Sequence, residues 1–279
     1  AESLRALRER PSNPDAVDLA MRGRVVWYKF QGVNVNEAID DFERTLRIDP
    51  EQPEALVGLS RALASKVINL SSANPVEDAN RADTSASKAL SVHPENAAAH
   101  LAKAFAIFAG IWVGTNANTI GQWDIVVAET DAAIADDRNL AEAYASAGLW
   151  KLFVGRAAEG FIGIETALRL SPHDPTRFSW EFEICALHAY LAQWDQAIEW
   201  CRKSLATQPY ILSFLTISAA YAWAGRDADA HAAVSELLKL KPGFTVQTWA
   251  KVKRSDNPTY LLGLQRIVEG LRKAGLPEE

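Results

Sequence analysis

The chain has 279 residues, of which 48% are hydrophobic and 23% charged, with only 15 glycines and 12 prolines. That balance supports a packed core along the chain and excludes a disordered or collagen-like polymer. The formal charge is −6, and no Lys/Arg cluster stands clear of acidic neighbours, so the electrostatic footprint of a nucleic-acid or anionic-membrane partner is absent.

No apolar run reaches the length of about eighteen residues that a membrane span needs, and no basic-then-apolar leader opens the chain, so a soluble, cytoplasmic protein is expected. Cys185 and Cys201 are too few for a disulfide framework and lack metal-site spacing, so they read as buried thiols that lie close together in a helical core. The chain begins at Ala1 and its only methionine is Met21, which reads as a piece of a longer protein or a processed product.

In chain order, residues 1–14 are expected as a linker or short helix. A phrase then recurs: Ala38 to Pro50, Ala82 to Pro94, Gly160 to Pro172, Ala197 to Pro209 and Ala230 to Pro242 each place a small residue twelve positions before a proline. Arg138 stands where the third copy would have its proline. The closing positions 50, 94, 138, 172, 209 and 242 divide residues 15–242 into six repeats, about 15–50, 51–94, 95–138, 139–172, 173–209 and 210–242. Intervals of 44, 44, 34, 37 and 33 residues make the early repeats longer. The extra residues fall near Ser71–Pro75 and Gly114–Gly121, whose turn-forming composition fits loops or helix extensions.

Each repeat reads as two antiparallel helices that approach closely where small side chains face each other, as at Gly148 with Gly160 or Ser218 with Ala230. Branched and aromatic residues between those contacts fill the space against the next hairpin, and the closing proline stops the second helix. Residues 243–279 leave the pattern. Asn257-Pro258 starts a last, capping helix with an N-cap and a proline at the first helical position, and Gly275 with Pro277 ends it. Leu261, Leu264, Ile267, Val268 and Leu271 are expected to form its apolar face.

The sixth repeat carries Phe214, Ile217, Ser218, Tyr221, Gly225-Arg226, Ala230, Val234, Leu237 and Pro242. The fourth carries Tyr144, Ala147-Gly148, Gly155-Arg156, Gly160, Ile164, Ala167 and Pro172. These offsets resemble the tetratricopeptide repeat (TPR), which implies an all-α, right-handed superhelical solenoid of antiparallel helix hairpins. Asn13-Pro14-Asp15 with Met21-Arg22-Gly23, Ala55–Arg61, Ser255–Pro258 and Glu269–Pro277 further resemble the C-terminal TPR regions of bacterial class III adenylate/guanylate cyclases. Similar arrays follow winged-helix DNA-binding domains. The resemblance implies a regulatory region attached to an effector domain, with no catalytic residue inside these 279 residues.

In TPR arrays the first helices of successive hairpins line a concave groove. The family rule selects Arg24, Trp27, Tyr28, Arg61, Phe105, Phe108, Leu149, Leu152, Phe153, Phe182, Tyr190, Leu215 and Trp223. Such a groove would accept an amphipathic helix or an aromatic-rich segment of a partner or of the protein's own effector domain. The same aromatics could equally be inter-helix packing. The groove holds almost none of the Lys, Arg and Asn with which family members grip a C-terminal carboxylate. The five histidines form no ligand or acid–base pair, and no nucleophile–base pair, phosphate loop or metal set is visible. The chain is therefore expected to be a non-catalytic interaction scaffold needing no cofactor. A stand-alone adaptor is one alternative. A receptor for a small apolar ligand near Phe105 and Phe108 is the other.

Overall fold

A computed structural model describes residues 16–29, 35–114, 119–251 and 254–279. Among these residues there are fourteen α-helices and no strand. They are α1 (Ala16–Lys29), α2 (Val35–Ile48), α3 (Pro53–Ile68), α4 (Pro75–Val92), α5 (Ala97–Val113), α6 (Thr119–Asp136) and α7 (Ala141–Phe153). There follow α8 (Ala157–Leu170), α9 (Arg177–Tyr190), α10 (Trp194–Thr207), α11 (Ile211–Trp223), α12 (Asp227–Leu240), α13 (Val246–Ala250) and α14 (Pro258–Lys273). The sequence expected residues 1–14 as a linker or short helix; these lie outside the described residues.

Local chemistry explains the boundaries. The Gln52 side chain accepts from the Ala55 N–H at 2.6 Å with Pro53 opening α3, and Asn96 accepts from the Ala99 N–H at 3.0 Å to start α5. Each satisfies a donor that the first helical turn leaves unpaired. Within hairpins, Gly155 and Gly225 take left-handed turns at φ 79° and 72° directly after α7 and α11. The surplus residues of the early repeats go chiefly into helix length: α3 to α6 run 16, 18, 17 and 18 residues, against 13 or 14 for α7 to α12.

The described residues fall into two compact units. Unit one holds those before position 118 together with Asp124–Leu140; unit two holds residues 119–123 with Ala141–Glu279. In unit one, α1 packs on α2 and α3 on α4, and the first helices α1, α3 and α5 lie side by side. A buried Asp41 on α2 takes the Arg22 guanidinium of α1, and Leu56, Ala89 and Ala99 bring α3, α4 and α5 into one core cluster. In unit two, α7 pairs with α8, α9 with α10 and α11 with α12, while α9 neighbours both α7 and α11.

The expected close approach is present in the fourth hairpin. A Cβ on Gly148 would stand 2.5 Å from the Gly160 carbonyl oxygen, and one on Gly160 would stand 2.5 Å from the Gly148 carbonyl oxygen. No side chain fits there without moving backbone. The fifth hairpin corrects the reading of its cysteines. Cys185 on α9 and Cys201 on α10, both fully buried, are joined in a disulfide with Cα atoms 5.2 Å apart. Both occupy small-residue contact positions of a hairpin, which brings their Cα atoms into the range a disulfide spans.

The closing helix is present as α14, and its packing reaches beyond the last hairpin, onto α11 and α9 as well as α13. Ile267, Val268 and Leu271 of the expected face are buried and Leu264 is half-buried, while the exposed Leu261 departs from it. Tyr260, Gly263, Ile267, Val268, Gly270 and Leu271 face inward, whereas Leu261 and Leu262 are 41% and 50% exposed.

Candidate functional site

Within each unit the first helix of a hairpin packs on its own second helix and on the first helix of a neighbouring hairpin, so residues on α1, α3 and α5, and on α7, α9 and α11, can share a face across repeats. The two units use this face differently.

In unit one, three consecutive first helices contribute to one cluster. The Arg61 guanidinium of α3 lies 3.8 Å from the centre of the Phe105 ring of α5 and 5.6 Å from that of Trp27 of α1. Trp27 in turn contacts Tyr28 with ring centres 5.0 Å apart. Arg61 and Trp27 are buried, Phe105 is half-buried, and Tyr28 is 40% exposed. Arg24, one turn earlier, is exposed and pairs with Glu54 of α3 at 3.0 Å. A cation held against aromatic faces is attracted by their negative quadrupole, and Arg with Tyr and Trp are the side chains that most often anchor binding surfaces. Phe108 is buried and packs edge-on against Trp112 of its own helix at 5.4 Å.

In unit two the face is already covered by the chain's own C-terminal segment. The segment enters at Arg254, whose carbonyl accepts from the Trp123 indole at 2.9 Å and whose guanidinium stacks 3.7 Å from the Trp249 ring. Ser255 donates to the Phe153 carbonyl at 2.6 Å. Asn257 donates to the Val154 carbonyl at 3.1 Å while its Oδ1 caps α14 by accepting from the Thr259 and Tyr260 amides. Gly155 admits this contact on two counts: its φ is 79°, and a Cβ there would overlap the Asn257 side chain.

Along α14 the register is set by two glycines. Gly263 lies against the ring of Tyr190, which also stacks on Tyr260 at 5.3 Å and 19°. Gly270, seven residues on, lies against Ala219 and the Trp223 indole. Trp223 donates to the Arg266 carbonyl at 2.8 Å, stacks on Trp194, and carries the Lys273 ammonium 3.6 Å from its ring centre. Ile267, Val268 and Leu271 complete the buried stripe. A large apolar side chain fully removed from water contributes about 1.5–3 kcal/mol, so this stripe supplies more of the hold than the polar bonds at about 0.5–1.5 kcal/mol each.

The remaining groove candidates of unit two divide between ligand contact and packing. Phe153 belongs to the contact set, stacked on Trp123 at 4.6 Å and 5.4 Å from Tyr260. Leu152 and Leu215 are buried, and Phe182 packs edge-on against Tyr210 at 5.3 Å, between hairpins. Leu149 is half-buried. Sequence reasoning missed Trp123, Arg254, Tyr260, Gly263 and Gly270 as members of the site. The seven-residue glycine spacing was the visible signal for the last two.

Burial governs the site's titration. It pushes the Tyr190 phenol well above the ordinary value of 10, with the neighbouring Tyr260 adding to the rise and the Arg254 charge opposing it. Tyr210 is raised as well, first by burial and then by the Glu183 carboxylate. Both phenols hold their protons to higher pH than a free tyrosine. No group of three or more His, Cys, Asp or Glu able to hold a metal ion occurs among the described residues. No described helix is long and apolar enough to cross a membrane.

Solved structures with this architecture are TPR proteins. A thermophilic TPR protein of Thermus thermophilus, TTC0263, is similar with a TM-score of 0.56 and 18% identity, over 80% of this chain and 99% of that one. PilF of Pseudomonas aeruginosa is similar with a TM-score of 0.52 and 16% identity, over 88% of this chain and 96% of that one. Human IFIT1, solved as a dimer with PPP-AAAA, has a TM-score of 0.64 and 17% identity, over 91% of this chain and 59% of that one. No protein-family model matches the chain, and no curated protein matches it in sequence. The fold of the chain is thus the TPR fold.

Proposed function

We propose that the protein is a non-catalytic interaction scaffold whose first-helix face holds helical segments of proteins. The observation that carries this reading is the seat of residues 254–276 on unit two, where Tyr190 of α9 and Trp223 of α11 meet two glycines, the Trp223 indole donates to the Arg266 carbonyl, and Trp123 of the adjoining α6 donates to the Arg254 carbonyl. In unit one the equivalent face carries the Arg61–Phe105–Trp27 cluster with Arg24 and Tyr28 exposed at its edge, and a separate protein partner would bind against that edge.

Two settings fit the scaffold. The phrases that resemble cyclase C-terminal regions favour a regulatory array beside an effector domain, and a stand-alone adaptor would use the same surface. The buried Cys185–Cys201 bond favours an oxidising compartment over the cytoplasmic address expected from the sequence, because thiol-reducing systems keep cytosolic cysteines unpaired.

The test is selection of displayed peptides on the whole chain, followed by titration against variants. Selected peptides are expected to lose roughly tenfold or more in affinity, about 1.4 kcal/mol, on Arg61→Ala and Tyr28→Ala, while Ile162→Ala on an exposed site of unit two changes nothing. Saturable peptides indifferent to both unit-one changes would contradict the assignment.

A further inference from the structure

We propose that residues 254–276 are an exchangeable intramolecular ligand, and that the face they cover takes a partner helix of the same chemistry. That chemistry is an arginine ahead of an Asn-Pro helix start, followed by small residues seven positions apart. This deepens the scaffold reading, on which it rests, by naming the partner class for unit two.

The contacts run both ways between side chain and main chain, as they do when a groove binds a peptide. Trp123 and Trp223 donate to carbonyls of the segment, while Ser255 and Asn257 of the segment donate to the Phe153 and Val154 carbonyls at the end of α7. The apolar contacts are equally one-sided. Tyr190 and Trp223 are ridges on the array, and Gly263 and Gly270 are the notches that receive them. A helix with larger residues at either notch would be held off by the ring opposite it.

The array is closed behind this face without help from α14. The buried disulfide ties α9 to α10, and the buried Ser204 and Ser213 hydroxyls, 2.9 Å apart, tie α10 to α11. Leaving the face therefore exposes the inner sides of α9 and α11 and keeps their hairpins paired. On the outer side of α14, Leu261 and Leu262 remain half-exposed, so the helix is covered on one side only. Because the segment is tethered, it competes at a high effective concentration, and a free helix of equal affinity is excluded until the tethered one is weakened.

The experiment titrates a labelled synthetic peptide of residues 254–276 into the whole chain and into its Gly263→Leu variant. The substitution drives a side chain into the Tyr190 ring and expels the tethered helix. The variant is expected to bind the peptide roughly a hundredfold or more tighter than the unaltered chain, and the peptide carrying the same substitution should bind neither. A variant that stays helical with a cooperative melt yet binds the peptide no better than the unaltered chain would overturn the proposal.

Native-state hydrogen exchange on the unaltered chain decides the matter if that variant does not fold. Amides of residues 258–273 are expected to open at denaturant concentrations where α9 and α11 remain protected. Exchange of all three helices in a single global opening would make the segment a fixed part of the core and sink the idea. That result would leave the unit-one reading standing, since Arg61 and Tyr28 test it separately.

Discussion

Gly148 and Gly160 face each other's backbone carbonyls, and neither backbone can yield to a methyl group. Gly148→Ala is therefore expected to destabilise unit two by about 1–3 kcal/mol, read as a lower midpoint in denaturant at unchanged slope. At Tyr190 the raised phenol sets a pH dependence. Below pH 10 the folded and unfolded chains both carry its proton, and its contribution is fully present. Above pH 10 the unfolded chain releases the proton first, so stability falls as pH climbs toward the folded-state value. Tyr190→Phe should make the alkaline loss shallower than in the unaltered protein; an unchanged slope in pH-dependent unfolding would contradict the enclosed phenol. The Gly148–Gly160 contact was legible because both glycines sit inside one repeat at fixed offsets. Arg254 and Ser255 were not, because their partners Trp123 and Phe153 lie 131 and 102 residues away and no local period reports them.

At the scale of elements, the fifth hairpin is held by a covalent bond as well as by packing. The bond closes a loop with a sequence separation of 16, for which chain-entropy estimates give about 3 kcal/mol. Reduction, or Cys185→Ala with Cys201→Ala, should lower the thermal midpoint, and the unfolded but unreduced chain should show no free thiol. Finding two thiols there would remove both the bond and the case for an oxidising compartment. For α14, Asn257→Ala takes away the cap and the bond to Val154 together, at an expected cost of about 1–2 kcal/mol in unit two. The limits of α14 were readable from Asn257-Pro258 and Gly275-x-Pro277. Ile267, Val268 and Leu271 of its buried side were readable as well, whereas Gly263 and Gly270 were not, because a count of apolar residues passes over glycines that lie opposite Tyr190 and Trp223. The cysteines were placed in a helix–helix core by their repeat positions, but pairing them requires the distance across the hairpin, which sequence alone does not supply.

One device appears twice in separate units: first helices of consecutive hairpins bring aromatic side chains to one face, joined in unit one by Arg61. In unit one, Trp27, Arg61 and Phe105 come from three repeats and meet. In unit two, Phe153, Tyr190 and Trp223 come from three repeats and grip the chain's own last helix. The helix-hairpin fold was legible because several hairpins repeat the same small-residue contacts, whereas what fills the face depends on a segment outside the repeats. A scaffold that holds a helix in this way should show energetic coupling between groove and segment. The most direct measurement is a double-mutant cycle on Tyr190→Ala and Tyr260→Ala, followed by denaturant unfolding of the whole chain. A coupling free energy of about 0.5–1.5 kcal/mol is expected for this stacked pair. Strict additivity of the two substitutions would mean that the last helix does not rest on this face.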